Sequence, residues 1–275
     1  MMIRKIISGG AVSLALLVIL ITPAFPAPLT LEGPSKQGGV LIGKTIKGSK
    51  INFAGRDVRV SPTGVFLLGF DRDHPSTAEL VIKHPDGTTT NRTLNIEQRE
   101  YDIQRIDGLP SRKVTPKPED VARIKKDNAE IGAVRQLNTD WAMYVSGFQW
   151  PVKGRISGVF GSQRVLNGKP RRPHNGVDIA AKEGTEIVAA ADGIVALVHQ
   201  DMFYSGKTVM IDHGHGLNSV YIHMSKILVE KGQRITKGTP IGAVGMTGRT
   251  TGPHLHWGLS LFSMVLDPAL LAGKM

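Results

Sequence analysis

Apolar positions fall into three textures along the chain. The first is a run from Ala11 to Thr22, preceded by Arg4 and Lys5 and broken by Pro23 and Pro26. A short basic start followed by about 7–15 apolar residues is the pattern of a secretory signal peptide. It is assigned to residues 1–27, with small residues at Thr22 and Ala24 that suit cleavage after Ala24. The run is short against the ~20 residues that cross a bilayer. Export is therefore expected, with membrane contact only through this segment if it stays uncleaved.

The second texture is short apolar runs separated by turn residues. Val40-Leu41-Ile42, Ile51 and Phe53, Val58 and Val60, Val65 to Phe70, and Leu80 and Ile82 read as strands. Pro85-Asp86-Gly87 marks a hairpin between residues 79–84 and 88–96. This spacing predicts a small β-sandwich over residues 28–112. His74 and His84 each precede a proline and are expected to be ordinary surface residues. A Pro/Lys linker follows, and Pro118 opens a helix with Glu119 and Asp120 in its first turn. Val121, Ile124, Ile131, Val134 and Leu137 recur at helical spacing, with Arg123, Lys125, Lys126 and Asp127 on the polar face. Residues 113–147 are thus a linker and an amphipathic helix that packs on a neighbouring domain.

From Phe148 to the end the texture is glycine-punctuated β: residues 156–160, 186–198, 208–212, 219–224, 242–245 and 256–261. The expected fold is mainly β, with an N-terminal β-sandwich, a linking helix and a C-terminal antiparallel sheet domain over 148–275. A length of 275 residues suits two domains.

Composition narrows the chemistry. The chain has no cysteine, which excludes disulfides, thiolate metal sites and cysteine nucleophiles. A metal would have to sit on His, Asp or Glu. The net charge of +11 asks for a polyanionic partner. Residues 150–275 hold 14 basic and 8 acidic residues, a balance of +6, so the excess is densest there. Aromatic residues make up only 5%, which weakens a base-stacking reading, and the export signal argues further against nucleic acid.

Seven of the nine histidines lie in the C-terminal part. In His174-Asn175-Gly176-Val177-Asp178, a loop entering a strand, positions four apart share a face. In Gly252-Pro253-His254-Leu255-His256-Trp257-Gly258, alternation puts His254 and His256 on one side and Leu255 and Trp257 on the other. In Val220-Tyr221-Ile222-His223-Met224, His223 shares a face with Tyr221. Zinc commonly takes three His or carboxylate ligands and keeps a fourth position open for water. Two His and one Asp meet that count, and two further His remain to serve as base and oxyanion donor.

His-x-Gly-x-Asp, then Tyr-x-His-Met-Ser, then Gly-Pro-His-Leu-His-Trp, resembles the lysostaphin-type (LytM-like) zinc murein peptidases, over about residues 148–270. The resemblance implies one zinc ion on His174, Asp178 and His256, a zinc-activated water as nucleophile, His254 as its base and His223 as oxyanion stabiliser. It implies peptidoglycan as substrate, with D,D-endopeptidase action on D-alanyl–diaminopimelate cross-links, in the periplasm or envelope of a Gram-negative bacterium. The alternative is a wall-binding regulator that activates other hydrolases. Arg164, Arg171 and Arg172 flank the first ligand and are candidates for substrate carboxylates. His213 and His215, in Asp212-His213-Gly214-His215-Gly216, read as a hairpin turn, with His213 a candidate substrate contact.

Overall fold

The computed structural model describes residues 29–275. The signal-peptide reading and its cleavage point lie outside them. Eight short strands lead the described chain: β1 (Thr30–Glu32), β2 (Val40–Lys44), β3 (Lys50–Phe53), β4 (Arg56–Val58), β5 (Val65–Gly69), β6 (Thr77–Lys83), β7 (Thr89–Asn95) and β8 (Ile103–Ile106). The first seven form two antiparallel sheets, ordered β1-β2-β5 and β4-β3-β6-β7. Their inner faces bury Leu41, Ile51, Phe66, Leu68, Leu80 and Ile82 in one core. The β6–β7 hairpin pairs Lys83 with Thr89, and the left-handed backbone at Gly87 (φ +84°) closes its turn.

His74 and His84 are buried, which corrects the surface reading. The His74 ring packs against Phe53 and edge-on to Phe70, with centroids 6.4 and 5.3 Å away. His84 lies between two hydroxyls, Nδ1 3.1 Å from Ser49 Oγ and Nε2 2.9 Å from Thr90 Oγ1. The His74 Nδ1–H donates to the adjacent Pro75 carbonyl (2.9 Å) while Phe53 and Phe70 enclose the ring, and the His84 partners come from other segments that no local pattern announces.

β8 leaves the sandwich and is followed by α1 (Ser111–Val114) and the longer α2 (Pro118–Arg135). α2 packs by part of the expected stripe, through Ile131 and Val134. Val121 and Leu137 are exposed, while Asp120 and Asp127 are buried beside Val134. Both carboxylates are spent on the chain itself. Asp120 accepts from Arg112 Nε (2.8 Å) and from the Lys117 backbone N–H (3.1 Å), and Asp127 accepts from the Phe203 N–H (2.6 Å). Among the described residues no helix is long and apolar enough to cross a membrane.

The rest of the chain is β9 (Arg155–Gly158), β10 (Gln163–Leu166), β11 (Lys169–Pro170), β12 (Val177–Ala180), β13 (Glu186–Val188), β14 (Gly193–Met202), β15 (Gly206–Gly214), β16 (Leu217–Met224), β17 (Lys226–Ile227), β18 (Arg234–Ile235), β19 (Pro240–Ala243), β20 (His254–Leu261) and β21 (Met264–Leu266), then the single turn α3 (Ala269–Ala272). One large sheet runs β18-β14-β15-β16-β20-β12-β9, with β21 added on β20, and β13-β19-β17 form a smaller one. Val177, Ile179, Val209, Tyr221, Leu255 and Trp257 belong to the main core. The residues that alternate with them on β12 and β20 (Asp178, His254 and His256) point to the other face. On that face Val134 and Ile131 of α2 pack against Leu197, Met210 and Val220. Core and chemistry thus lie on opposite sides of the same strands.

His213 belongs to β15, not to a turn. It is fully buried, Nδ1–H donating to the Asp192 carbonyl (2.6 Å) and Nε2 lying 2.8 Å from Ser219 Oγ. It cannot touch a substrate. The turn itself falls on Gly214, His215 (φ +52°) and Gly216. Burial pushes the His213 ring down to about 4, below the ~6.5 of a free histidine. The folded ring therefore stays neutral where the unfolded one takes up a proton. The contribution of this ring to stability should fall as pH drops from about 6.5 to about 4, by roughly 3 kcal/mol across that window, and change no further below it. Calorimetric Tm values between pH 7.5 and 5 should decline, and His213→Gln should flatten the decline.

Candidate active site

Three elements bring the site together. His174 sits in the loop before β12, held because its backbone N–H donates to the Ser162 carbonyl (2.9 Å) and its own carbonyl accepts from the Gly161 N–H (2.9 Å). Asp178 on β12 lies directly opposite His256 on β20. Gly176 allows this approach: a Cβ there would lie 2.9 Å from His256 Nε2 and 2.4 Å from the Trp257 carbonyl.

The ligand-type atoms form a small triangle. His174 Nε2 is 2.9 Å from His256 Nδ1 and 3.0 Å from Asp178 Oδ1, and His256 Nδ1 is 2.8 Å from Asp178 Oδ1. All three residues are buried. His174 Nδ1–H donates to the Val159 carbonyl (2.9 Å), which aims Nε2 inward. Burial alone would raise the Asp178 carboxyl, but hydrogen bonds with His174 and His256 outweigh it and hold the group well below the usual carboxylate range. Burial also pushes His256 down to about 4. Two imidazole nitrogens and a carboxylate oxygen converging on one point are a donor set for a divalent cation. Their separations approach the ~3.3 Å between ligands at 2.0–2.1 Å around a tetrahedral zinc. The residues fit the metal.

Asp178 uses its other oxygen. Oδ2 accepts from Arg164 Nη2, a partner that turns Oδ1 toward the histidines. Gly158 leaves room for the pair, since a Cβ there would sit 2.5 Å from Oδ2.

His254 and His223 stand beside the triangle, their ring centroids 4.8 Å apart. His254 Nδ1–H donates to the Gly252 carbonyl (2.9 Å), and its Nε2 lies 3.8 Å from Asp178 Oδ1. His223 reaches the site by a route that strict alternation misses. β16 carries a bulge where Lys207 pairs with Met224 but Val209 with Tyr221, and His223 adopts φ +66°. The bulge turns the ring off the Tyr221 face and onto the side of His256. There Nδ1–H donates to the Thr247 carbonyl (2.7 Å), leaving Nε2 bare. Burial, reinforced by His254 and His256, pushes His223 down to about 3.

The groove around these rings includes a cavity of about 300 Å³ lined by Gln104 and Ile106 of β8, Arg155, Arg249 and Pro253 together with Asp178, His223 and His254. Of the arginines flagged from sequence, only Arg164 lines it. Arg171 donates to the carbonyls of Pro170 and Val114, and Arg172 is exposed. Arg249 was not foreseen. Its one signal in the sequence is its place in the polar loop that leads into Gly252-Pro253-His254.

Known proteins share this part of the chain. Residues 172–268 match peptidase family M23. The peptidoglycan DD-endopeptidase ShyA of Vibrio cholerae is 44% identical over 114 residues, 40% of this chain and 26% of ShyA. The DD-carboxypeptidase/endopeptidase Mpg of Neisseria meningitidis is 37% identical over 118 residues, 43% of this chain and 27% of Mpg. The matched segment thus spans about a quarter of the length of these curated relatives. A crystal structure of a candidate M23 peptidase from Pseudomonas aeruginosa aligns with a TM-score of 0.66 at 28% identity, covering 88% of this chain and 96% of that one. Residues 172–268 thus carry the match to peptidase family M23, and most of the chain shares its fold with the Pseudomonas aeruginosa structure.

Proposed function

We propose that this protein is an exported zinc metallopeptidase that hydrolyses peptide bonds in peptidoglycan, acting as a D,D-endopeptidase on cross-links. The observation that carries the reading is the convergence of His174 Nε2, Asp178 Oδ1 and His256 Nδ1 in an open groove beside two more histidines. These three residues would hold one zinc ion. When bound, zinc supplies a Lewis acid for the scissile carbonyl and brings the pKa of a water down to about 7.

The remaining chemistry belongs to the chain. His254, the more exposed of the two flanking rings, offers a bare Nε2 to take the proton of the attacking water. His223, its Nδ1–H held on the Thr247 carbonyl, turns Nε2 to the groove; it stabilises a developing oxyanion by donating from that atom after taking a proton from solvent, and returns that proton to solvent when the product leaves. Arg164 is a positioning residue for Asp178, which it holds through Nη2.

The substrate is proposed from the activities named for ShyA and Mpg and from the +6 balance of residues 150–275, which suits a carboxylate-bearing mesh. The Gram-negative periplasm or envelope, and no nucleic-acid partner, belong to the same reading. Isolated sacculi treated with zinc-loaded protein should lose cross-linked muropeptide dimers and gain monomers by mass spectrometry. Zinc-loaded protein that leaves the dimers intact would overturn the proposal. Protein that binds sacculi but takes up no zinc would favour a wall-binding regulator instead.

A further inference from the structure

Beside the histidines, positive charge collects with little in the protein to neutralise it. A second cavity, of about 190 Å³, has His223 and His256 on one wall and Arg135, Arg164 and Arg249 on the others. Arg164 spends Nη2 on Asp178 and keeps a buried Nε with no partner. Arg135, at the C-terminal end of α2, also has a buried, unpartnered Nε. Among the described residues no acidic side chain forms an ion pair with Arg135 or Arg249. The one carboxylate in the lining, Asp127, accepts from the Phe203 N–H. Arg249 lies 4.6 Å over the Tyr204 ring. Burial lowers both Arg135 and Arg249 from the ordinary arginine value, and the charge of Arg164 lowers Arg249 further.

Guanidinium groups gathered out of water, with idle N–H donors, call for an anion with oxygens to fill them. The location says which one. A cavity walled by His223 and His256 lies within about one residue of the bond under attack. On the peptidoglycan-endopeptidase reading, we propose that Arg135, Arg249 and the free edge of Arg164 bind the carboxylate on the carbon attached to the scissile nitrogen. A D-alanyl–diaminopimelate cross-link and a D-alanyl-D-alanine terminus both carry that group. Arg135 lies outside the residues matched to family M23, so the linker helix supplies part of the specificity pocket.

The test compares cleavage of a cross-linked muropeptide dimer with that of the same dimer amidated at this carboxylate. The wild type should show a much higher KM for the amide. Arg249→Gln and Arg135→Gln should each raise KM for the carboxylate dimer about tenfold or more, as loss of a charge-assisted hydrogen bond does. kcat should move less, and the amide-to-carboxylate KM ratio should fall toward one. Arg249→Lys should recover part of the ratio. A merely structural role would lower Tm and leave the ratio intact, and an intact ratio in both variants overturns the proposal while the endopeptidase reading stands. If the wild type cleaves neither dimer, that reading fails and binding decides the pocket. Fluorescence anisotropy with labelled acetyl-D-alanyl-D-alanine would then support the pocket if Arg249→Gln and Arg135→Gln weaken binding, and equal binding would overturn it.

Discussion

Replacing His256 with alanine should abolish both metal binding and hydrolysis while the fold survives. Activity on cross-linked muropeptides should fall by about three orders of magnitude or more, because water without the metal loses an acidification of roughly nine pKa units. Zinc measured by mass spectrometry should drop from one per chain toward none, and circular dichroism should keep its β signature. His256 faces the groove and contributes little to the core behind the sheet, so its loss deletes a ligand and spares the packing. His254→Ala provides the contrast. It removes a base and no ligand, so zinc should stay while activity falls about 10²–10⁴-fold. A His256→Ala protein that keeps its zinc and its activity would refute the assignment of the triangle.

One residue further along β20 the expectation reverses. Trp257 points to the opposite face, is fully buried, and meets Trp150 edge-on with centroids 5.6 Å apart. It packs in the core that holds Ile179, Tyr221 and Leu255. Trp257→Ala should cost about 3–5 kcal/mol, since so large a cavity cannot collapse around a rigid sheet. In a domain of this size Tm should fall by about 10 °C or more by scanning calorimetry. A loss of only a degree or two would mean that the core is far looser than its burial implies. Zinc binding below the new Tm should persist, because neighbouring strand positions divide the two jobs.

What the sequence discloses follows from how local each feature is. The same-face placement of His254 and His256 rests on strand alternation, and the hairpin at residues 85–87 on turn chemistry, so both are readable from a few neighbouring residues. His223 is not. Its place depends on a bulge created against β15, and alternation assigned it to the wrong face. His84 and His213 were read as surface or turn residues because their partners Ser49, Thr90 and Asp192 come from other segments, and His74 because Phe53 and Phe70, which enclose its ring, lie elsewhere in the sequence. Arg135 and Arg249 were missed for the same reason, since their proximity exists only once α2 docks on the sheet. The Asp120 and Asp127 carboxylates broke the helical pattern because their hydrogen bonds to backbone N–H groups let them be buried in place of Val121 and Leu137.

The connector strand β8 has a consequence of its own. Its residues 103–106 pair in parallel with residues 163–166 of β10, held by backbone groups that every sequence except proline supplies. Gln104 and Ile106 turn into the groove from this strand, while Ile103 is exposed. One wall of the groove is therefore fastened by its main chain, with Ile106 packed on Leu109, Val114 and Leu166 and the Gln104 amide donating to the Ser157 carbonyl (3.0 Å). Substitution at 104 can retune which peptides the groove accepts without touching the metal triangle or the hydrophobic clusters, so this short strand is the place to begin redesigning selectivity.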